Sequence, residues 1–135
     1  SDLQKTVIVK NENRIKAISL VDNIPVILAW SNDVSFDKIF EEQLKNQVEK
    51  NDIVIAFSGS GKSKNIINAL KTAKKMGAKC IGFTGKTGGS FNAICDITFK
   101  VPSNDMLTIE SQHVTICHCI ASTIRSLGKP MFEYD

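Results

Sequence analysis

The sequence predicts an α/β fold, a three-layer αβα sandwich built on a doubly wound parallel sheet. Three observations carry that expectation. Short apolar runs alternate along the chain with stretches of helical spacing. The links between them are short, as in βαβ crossover units. And Ile53–Phe57 is apolar at every position, as strands buried on both faces are.

Ile15–Leu20 reads as a strand, broken by Val21-Asp22-Asn23-Ile24-Pro25. Val26–Trp30 is an apolar run that fits either a strand or a short helix. From Asp33 to Lys50, apolar residues at Phe36, Ile39, Phe40, Leu44 and Val48 keep helical spacing. Ile53–Phe57 is a strand, followed by a small polar loop, Ser58 to Ser63. Ile66, Ile67, Leu70, Ala73 and Met76 then mark a helix that Gly77 stops. Lys79–Thr84 is the next strand, and Gly85–Ser90 is a second glycine-rich loop. Ile97–Val101 is a strand closed by Pro102, and Met106–Leu127 is a last helix. With no repeat or linker, residues 1–135 read as one domain with a loose tail over 128–135. The chain opens on Ser1 rather than Met, and its polar start reads as N-terminally incomplete.

The chain has 135 residues, 42% of them hydrophobic and 23% charged. That suffices to bury about two-thirds of the unfolded surface without a disulfide or metal staple. A net charge of +3 is too mild to imply a nucleic-acid partner. Three prolines and the absence of low complexity exclude a disordered or fibrous chain. No apolar run approaches the roughly 20 residues of a membrane span, and no secretory signal opens the chain. Cys80, Cys95, Cys117 and Cys119 form no CxxC motif, so a reduced, cytoplasmic protein is expected. In Cys117-His118-Cys119 the two thiols point about 200° apart on a helix. They cannot grip one ion and read as packing residues.

In a parallel sheet, ligands bind outside the carboxyl ends of the strands. Ser58-Gly59-Ser60-Gly61-Lys62-Ser63 leaves a strand there and opens a helix. Its glycines admit close backbone approach, and the helix start offers unpaired N–H groups and a positive dipole end. Three hydroxyls, on Ser58, Ser60 and Ser63, add neutral donors. Together they describe a phosphate site; the plainer alternative is a strand–helix turn with serine as N-cap. A Walker A loop is excluded, because Ala56 stands where its first glycine is required. A dinucleotide fingerprint fails at Lys64. The lysines at 62, 64, 71, 74, 75 and 79 form a basic run without interleaved aromatics, which suits a solvated helix face better than nucleic-acid stacking.

On the last helix, Ile109, Val114, Cys117, Ile120, Ala121, Ile124 and Leu127 form an apolar stripe that contains Glu110 and is edged by His118. His118 lies about 80° from Glu110. A carboxylate on a buried face needs a partner, so Glu110 with His118 is a candidate acid/base or ligand pair. Glu110 can equally be a first-turn carboxylate favoured by the helix dipole. His113 reads as a satisfied core or interface residue, while His118 stays open between the two roles.

Three stretches resemble a SIS (sugar isomerase) domain, most closely the phosphoheptose isomerase branch. They are Ile53 through Leu70, Gly82-Phe-Thr-Gly-Lys-Thr-Gly-Gly-Ser, and Ile109-Glu-Ser-Gln-His-Val-Thr-Ile-Cys-His. Trp30-Ser-Asn-Asp and Phe36-Asp-Lys-Ile-Phe fit the same family upstream. The resemblance implies a flavodoxin-like doubly wound sheet and binding of a sugar phosphate. Ser58, Ser60 and Ser63 would hold the phosphate, Gly59 would contribute backbone, and Thr84 would line the site. His118 falls at the branch's catalytic histidine. Asp2-Leu3 aligns with a Glu-Leu pair whose glutamate is the general base. Family members assemble from identical subunits with shared sites, here a homodimer or homotetramer. No cofactor is required, although some members bind zinc through the positions that correspond to Asp2, Glu110 and His118. The departures are specific. The branch's N-terminal helices, a further strand and a Gly-Ser-rich loop have no counterpart; Glu110 replaces a glutamine, and Leu107-Thr108 replaces an Asp-Arg pair.

The expected function is phosphosugar binding with aldose–ketose isomerisation, of the sedoheptulose 7-phosphate isomerase type, through an enediol. Asp2 would move the carbon-bound proton and His118 the proton between oxygens. The alternative is a non-catalytic SIS domain that senses a phosphosugar or scaffolds a partner, and a weaker third is a nucleic-acid-associated SIS protein. The expected partners are a sugar phosphate and further copies of the chain, with neither nucleic acid nor membrane.

Overall fold

A computed structural model of the protein describes residues 1–133. Their contacts gather into two compact units: residues 20–113, and residues 1–19 with the chain from Val114 onward.

The first unit holds the sheet. β1 (Ile53–Phe57), β2 (Lys79–Thr84) and β3 (Ile97–Lys100) run parallel in the order β1-β2-β3. The crossovers pass through α3 (Lys64–Lys75) and the short α4 (Phe91–Ile94). Side chains alternate between faces, and the register separates them cleanly. On one face Ala56 and Cys80 pack with Leu70 and Ala73 of α3 and Phe91 of α4. On the other, cross-strand rows form from Ile55, Ile81 and Ile97 and from Phe57, Phe83 and Phe99. The phenylalanine rings stack at 4.7 and 4.9 Å. His113, on the first half of α5 (Met106–Arg125), sets its ring 5.9 Å from both Phe57 and Phe83. Helices therefore flank both faces of the sheet, as the residue pattern predicts.

β1 is less buried than its apolar run suggests. Ile53 is 64% exposed and Ile97 52%, and within β1 only Ala56 is buried. The strand lies at the edge of a three-stranded sheet, and the isoleucine end of this face stays open.

Two local devices fix the start of β2 and its pairing with β3. Gly77 takes φ +88°, a left-handed value that glycine adopts without strain, and it turns the chain from α3 into β2. Asp96 then staples β3 to β2. Its carboxylate accepts from Cys80 N at 2.7 Å and pairs with Lys74 Nζ at 2.8 Å, and its N–H donates to Cys80 O at 2.8 Å.

Upstream, three expectations are corrected. Ile15–Leu20 forms no strand: an extended segment becomes a strand only when a neighbour completes its ladder, and none of the described strands pairs with it. The undecided run Val26–Trp30 lies in α1 (Ile24–Asp33), started by Asn23, whose Oδ1 accepts from Val26 N at 3.3 Å, with Pro25 in the first turn. The single helix expected over 33–50 is broken. Extended backbone at Ser35 is followed by a 3-10 turn, Phe36–Lys38, and α2 covers only Glu41–Gln47.

In the other unit, Asp2–Gln4 forms a 3-10 turn and Val7 and Ile8 are buried. Val9 bridges to Pro130; Lys10 N donates to Lys129 O and Met131 N to Ile8 O, each at 2.9 Å. The tail expected to be loose is thus tied down around Pro130, with residues 134 and 135 outside the described chain. No described helix is long and apolar enough to cross a membrane.

Candidate functional site

The loop Ser58–Ser63 sits at the carboxyl end of β1 and leads into α3. Its three hydroxyls converge. Ser58 Oγ lies 3.0 Å from Ser63 Oγ and 3.5 Å from Ser60 Oγ. Ser63 occupies the N-cap position, yet its side chain makes no capping hydrogen bond. The hydroxyl a plain turn would use for the helix is instead turned toward Ser58. Ser60 Oγ accepts from Lys62 N at 3.2 Å, which fixes its rotamer. Behind the cluster stand the first-turn N–H groups of α3, which have no backbone acceptor in the helix; that of Ile66 is taken by Asn65 Oδ1 at 2.8 Å. The result is a cluster of neutral donors at the positive end of a helix dipole.

The bend itself requires glycine. Gly61 has φ +63°, and a Cβ there would come within 2.5 Å of Gly88 O. The second glycine-rich loop therefore clasps the first, and Ser90 N donates to Gly61 O at 2.9 Å. The sequence singles out that loop without showing that it braces Ser58–Ser63. Two consecutive glycines at 88–89 are the signal that could have revealed it.

Thr84 supports the loop from beneath. It is fully buried, and its hydroxyl donates to Gly59 O at 3.4 Å. Gly85 N reaches the same carbonyl at 2.8 Å. Gly59 thus contributes its backbone as a loop anchor. His113, buried as expected of a satisfied core histidine, approaches Thr84 O with Nε2 at 3.3 Å. A carbonyl only accepts, so Nε2 carries the proton and ties α5 to the end of β2.

The other unit holds a second constellation. Asp2 Oδ2 lies 3.6 Å from His118 Nε2, and Thr6 Oγ1 donates to Asp2 Oδ1 at 3.1 Å. The 3.6 Å between Asp2 and His118 is longer than a hydrogen bond. The His118 side chain is 68% exposed and that of Asp2 34%. Thr6, which the sequence did not suggest, holds the carboxylate through one oxygen and leaves the other facing the imidazole.

Glu110 is a correction. It is exposed, and Ile109, His113 and Ala121 are the buried positions of α5. Val114 and Leu127, counted in the apolar stripe, are 55% and 80% exposed. Ile109 and Ala121 of the counted stripe are buried, so the stripe does mark the packed face, but Glu110, in the first turn of α5, is exposed all the same. Glu110 therefore needs no buried partner. Among the described residues no three His, Cys, Asp or Glu side chains gather as metal ligands. A zinc centre takes three or four protein ligands, and Asp2 and His118 alone are two, so no step is assigned to zinc. The thiols are free. Burial raises the Cys80 and Cys117 pKa values and pushes Cys95 up to about 11.

Comparison with known proteins adds to this geometry. Residues 8–85 match the family described as the SIS domain. A phosphoheptose isomerase of Aliarcobacter butzleri is 40% identical over 116 residues, which are 85% of this chain and 61% of that protein. One from Campylobacter jejuni is 35% identical over 115 residues, 85% of this chain and 62% of the relative. The chain therefore spans less than two-thirds of the length of these relatives. The solved phosphoheptose isomerase of Francisella tularensis superposes with a TM-score of 0.84 at 28% identity, covering 93% of this chain and 68% of that one. That of Neisseria gonorrhoeae gives 0.78 at 29% identity, covering 80% and 61%.

Proposed function

The chain belongs to the SIS domain family, in its phosphoheptose isomerase-like branch, and from that premise we propose that it binds a sugar phosphate and interconverts its ketose and aldose forms. The substrate we assign is sedoheptulose 7-phosphate, a phosphorylated heptose in its ketose form, as befits a chain similar to phosphoheptose isomerases. The observation that carries the binding is the convergence of the Ser58, Ser60 and Ser63 hydroxyls with Ser63 released from capping. A phosphate monoester would replace the weak contacts among these hydroxyls with charge-assisted hydrogen bonds.

The contact between Asp2 and His118 supports catalysis over mere sensing, since it puts a carboxylate and an imidazole within reach of adjacent atoms. Asp2 removes the proton from C1 of the ketose, and the electron pair becomes the C1–C2 double bond of an enediol. The C2 carbonyl oxygen takes a proton and the C1 hydroxyl gives one up, with His118 carrying it between the oxygens. Return of the proton from Asp2 to C2 yields the aldose, with no net change in protons or electrons. The serine loop holds the ester phosphate, so that binding energy serves orientation. The same proposal places the protein in the cytoplasm and assembles it from identical subunits.

The test is incubation of the full-length protein with sedoheptulose 7-phosphate, watching for the aldose. Turnover that falls at least 100-fold in Asp2→Asn and in His118→Asn, with phosphate affinity kept, is the expected result. Binding without turnover would leave the non-catalytic sensor. No turnover and no thermal shift with any sugar phosphate would sink both. Binding to RNA with a steep salt dependence would favour a nucleic-acid-associated protein.

A further inference from the structure

Two lysines of the basic run, Lys71 and Lys75, line a groove of about 530 Å³ between α2, the 3-10 turn at Phe36–Lys38 and α3. Lysines enter it from all three: Lys38 from the turn, Lys45 from α2, and Lys71 and Lys75 from α3. The two walls differ in charge. On one, Glu41 pairs with Lys38 at 2.7 Å and Lys45 at 3.5 Å, and Glu42 takes Lys45 at 2.7 Å. The hydrogen bond from Lys38 holds the Glu41 carboxyl below its ordinary range, so this wall stays ionised and internally neutral. On the other wall Lys71 and Lys75 stand one helical turn apart, and neither has an acidic partner among the described residues. Like charges at this spacing repel. Asn68 and Thr72 lie between the walls, and Asn68 is already oriented, its Nδ2 donating to Asp37 O at 3.1 Å.

We propose that this groove is a second anion site, for a small molecule bearing a phosphate or diphosphate group. The excess of two positive charges on Lys71 and Lys75 matches a dianion. The volume falls in the range of small-molecule sites, about 300–1,000 Å³. No aromatic side chain lines the groove, so it lacks the stacking surface that single-stranded nucleic acid uses. The site is distinct from the serine loop and stands whether or not the chain is an isomerase.

Inorganic pyrophosphate is the probe. It is titrated into the wild type and into the Ser58→Ala/Ser60→Ala/Ser63→Ala variant, which lacks the loop donors, while lysine side-chain resonances are followed by NMR. Saturable shifts of Lys71 and Lys75 in both proteins are expected, weakened at least tenfold in Lys71→Gln/Lys75→Gln. Both lysines are exposed, so that variant keeps its fold, and its wild-type melting midpoint verifies this. Should the triple serine variant not fold, the wild type alone decides, because loop and groove resonances report separately. Shifts that never saturate, that are equal at Lys64 and Lys79, or that survive in the lysine variant would overturn the site. So would tight binding of a 20-nucleotide RNA that pyrophosphate fails to displace.

Discussion

Ser58 and Ser63 share one short contact, and their roles can be separated by deletion. A hydrogen bond to a charged group contributes about 1.5–3 kcal/mol, so Ser58→Ala or Ser63→Ala should weaken sugar-phosphate binding roughly 10- to 100-fold. Folding should hardly change in Ser63→Ala, because that hydroxyl does not cap α3. Calorimetric titration beside a melting curve checks both halves, and a large loss of stability in Ser63→Ala would return the residue to a capping role. The serines were readable from residue order, since glycine, hydroxyl and helix start lie within six positions. Thr6, which steers Asp2, was not, because its value depends on where Asp2 ends up. Glu110 was misplaced for a related reason: periodicity marks a helix face, but how deeply each position on that face is covered depends on what packs against it.

Among the elements, β3 depends on the Asp96 staple. The N–H of Cys80 first and the Lys74 ammonium second hold the Asp96 carboxyl below its ordinary value of 3.8. A carboxyl with a lowered folded pKa stabilises the fold above its unfolded pKa and loses that contribution as pH falls through the folded value. The melting midpoint of the wild type should therefore drop below about pH 3.8, and Asp96→Asn should lose part of that acid-side drop while melting lower at pH 7. Parallel acid melts of the two proteins test this; identical slopes would remove Asp96 from the account. β1, β2 and α3 were legible in the sequence, because unbroken apolar runs, helical spacing and Gly77 are local signals. Ile15–Leu20 shows the limit. Its composition suits a strand, but pairing is a property of a neighbour.

For the whole molecule, the open isoleucine end of the sheet bears on assembly. Ile53, Ile55 and Ile97 are exposed on one face of β1 and β3, and apolar area in water favours association. Sedimentation should give a dimer or tetramer, shifted toward monomer by Ile53→Lys/Ile97→Lys. A monomer at every concentration would refute self-assembly. The order of residues was enough to establish the alternating α/β plan, the serine bend and the family likeness, because each rests on signals within a few neighbouring positions. Tertiary structure alone decided that Thr84 and His113 brace the bend from below, that Asp2 meets His118, and that four lysines share a groove. These groups are far apart in sequence, between 29 and 116 positions for the first two pairs. Their proximity follows from how the packed surfaces fit, which no local pattern encodes.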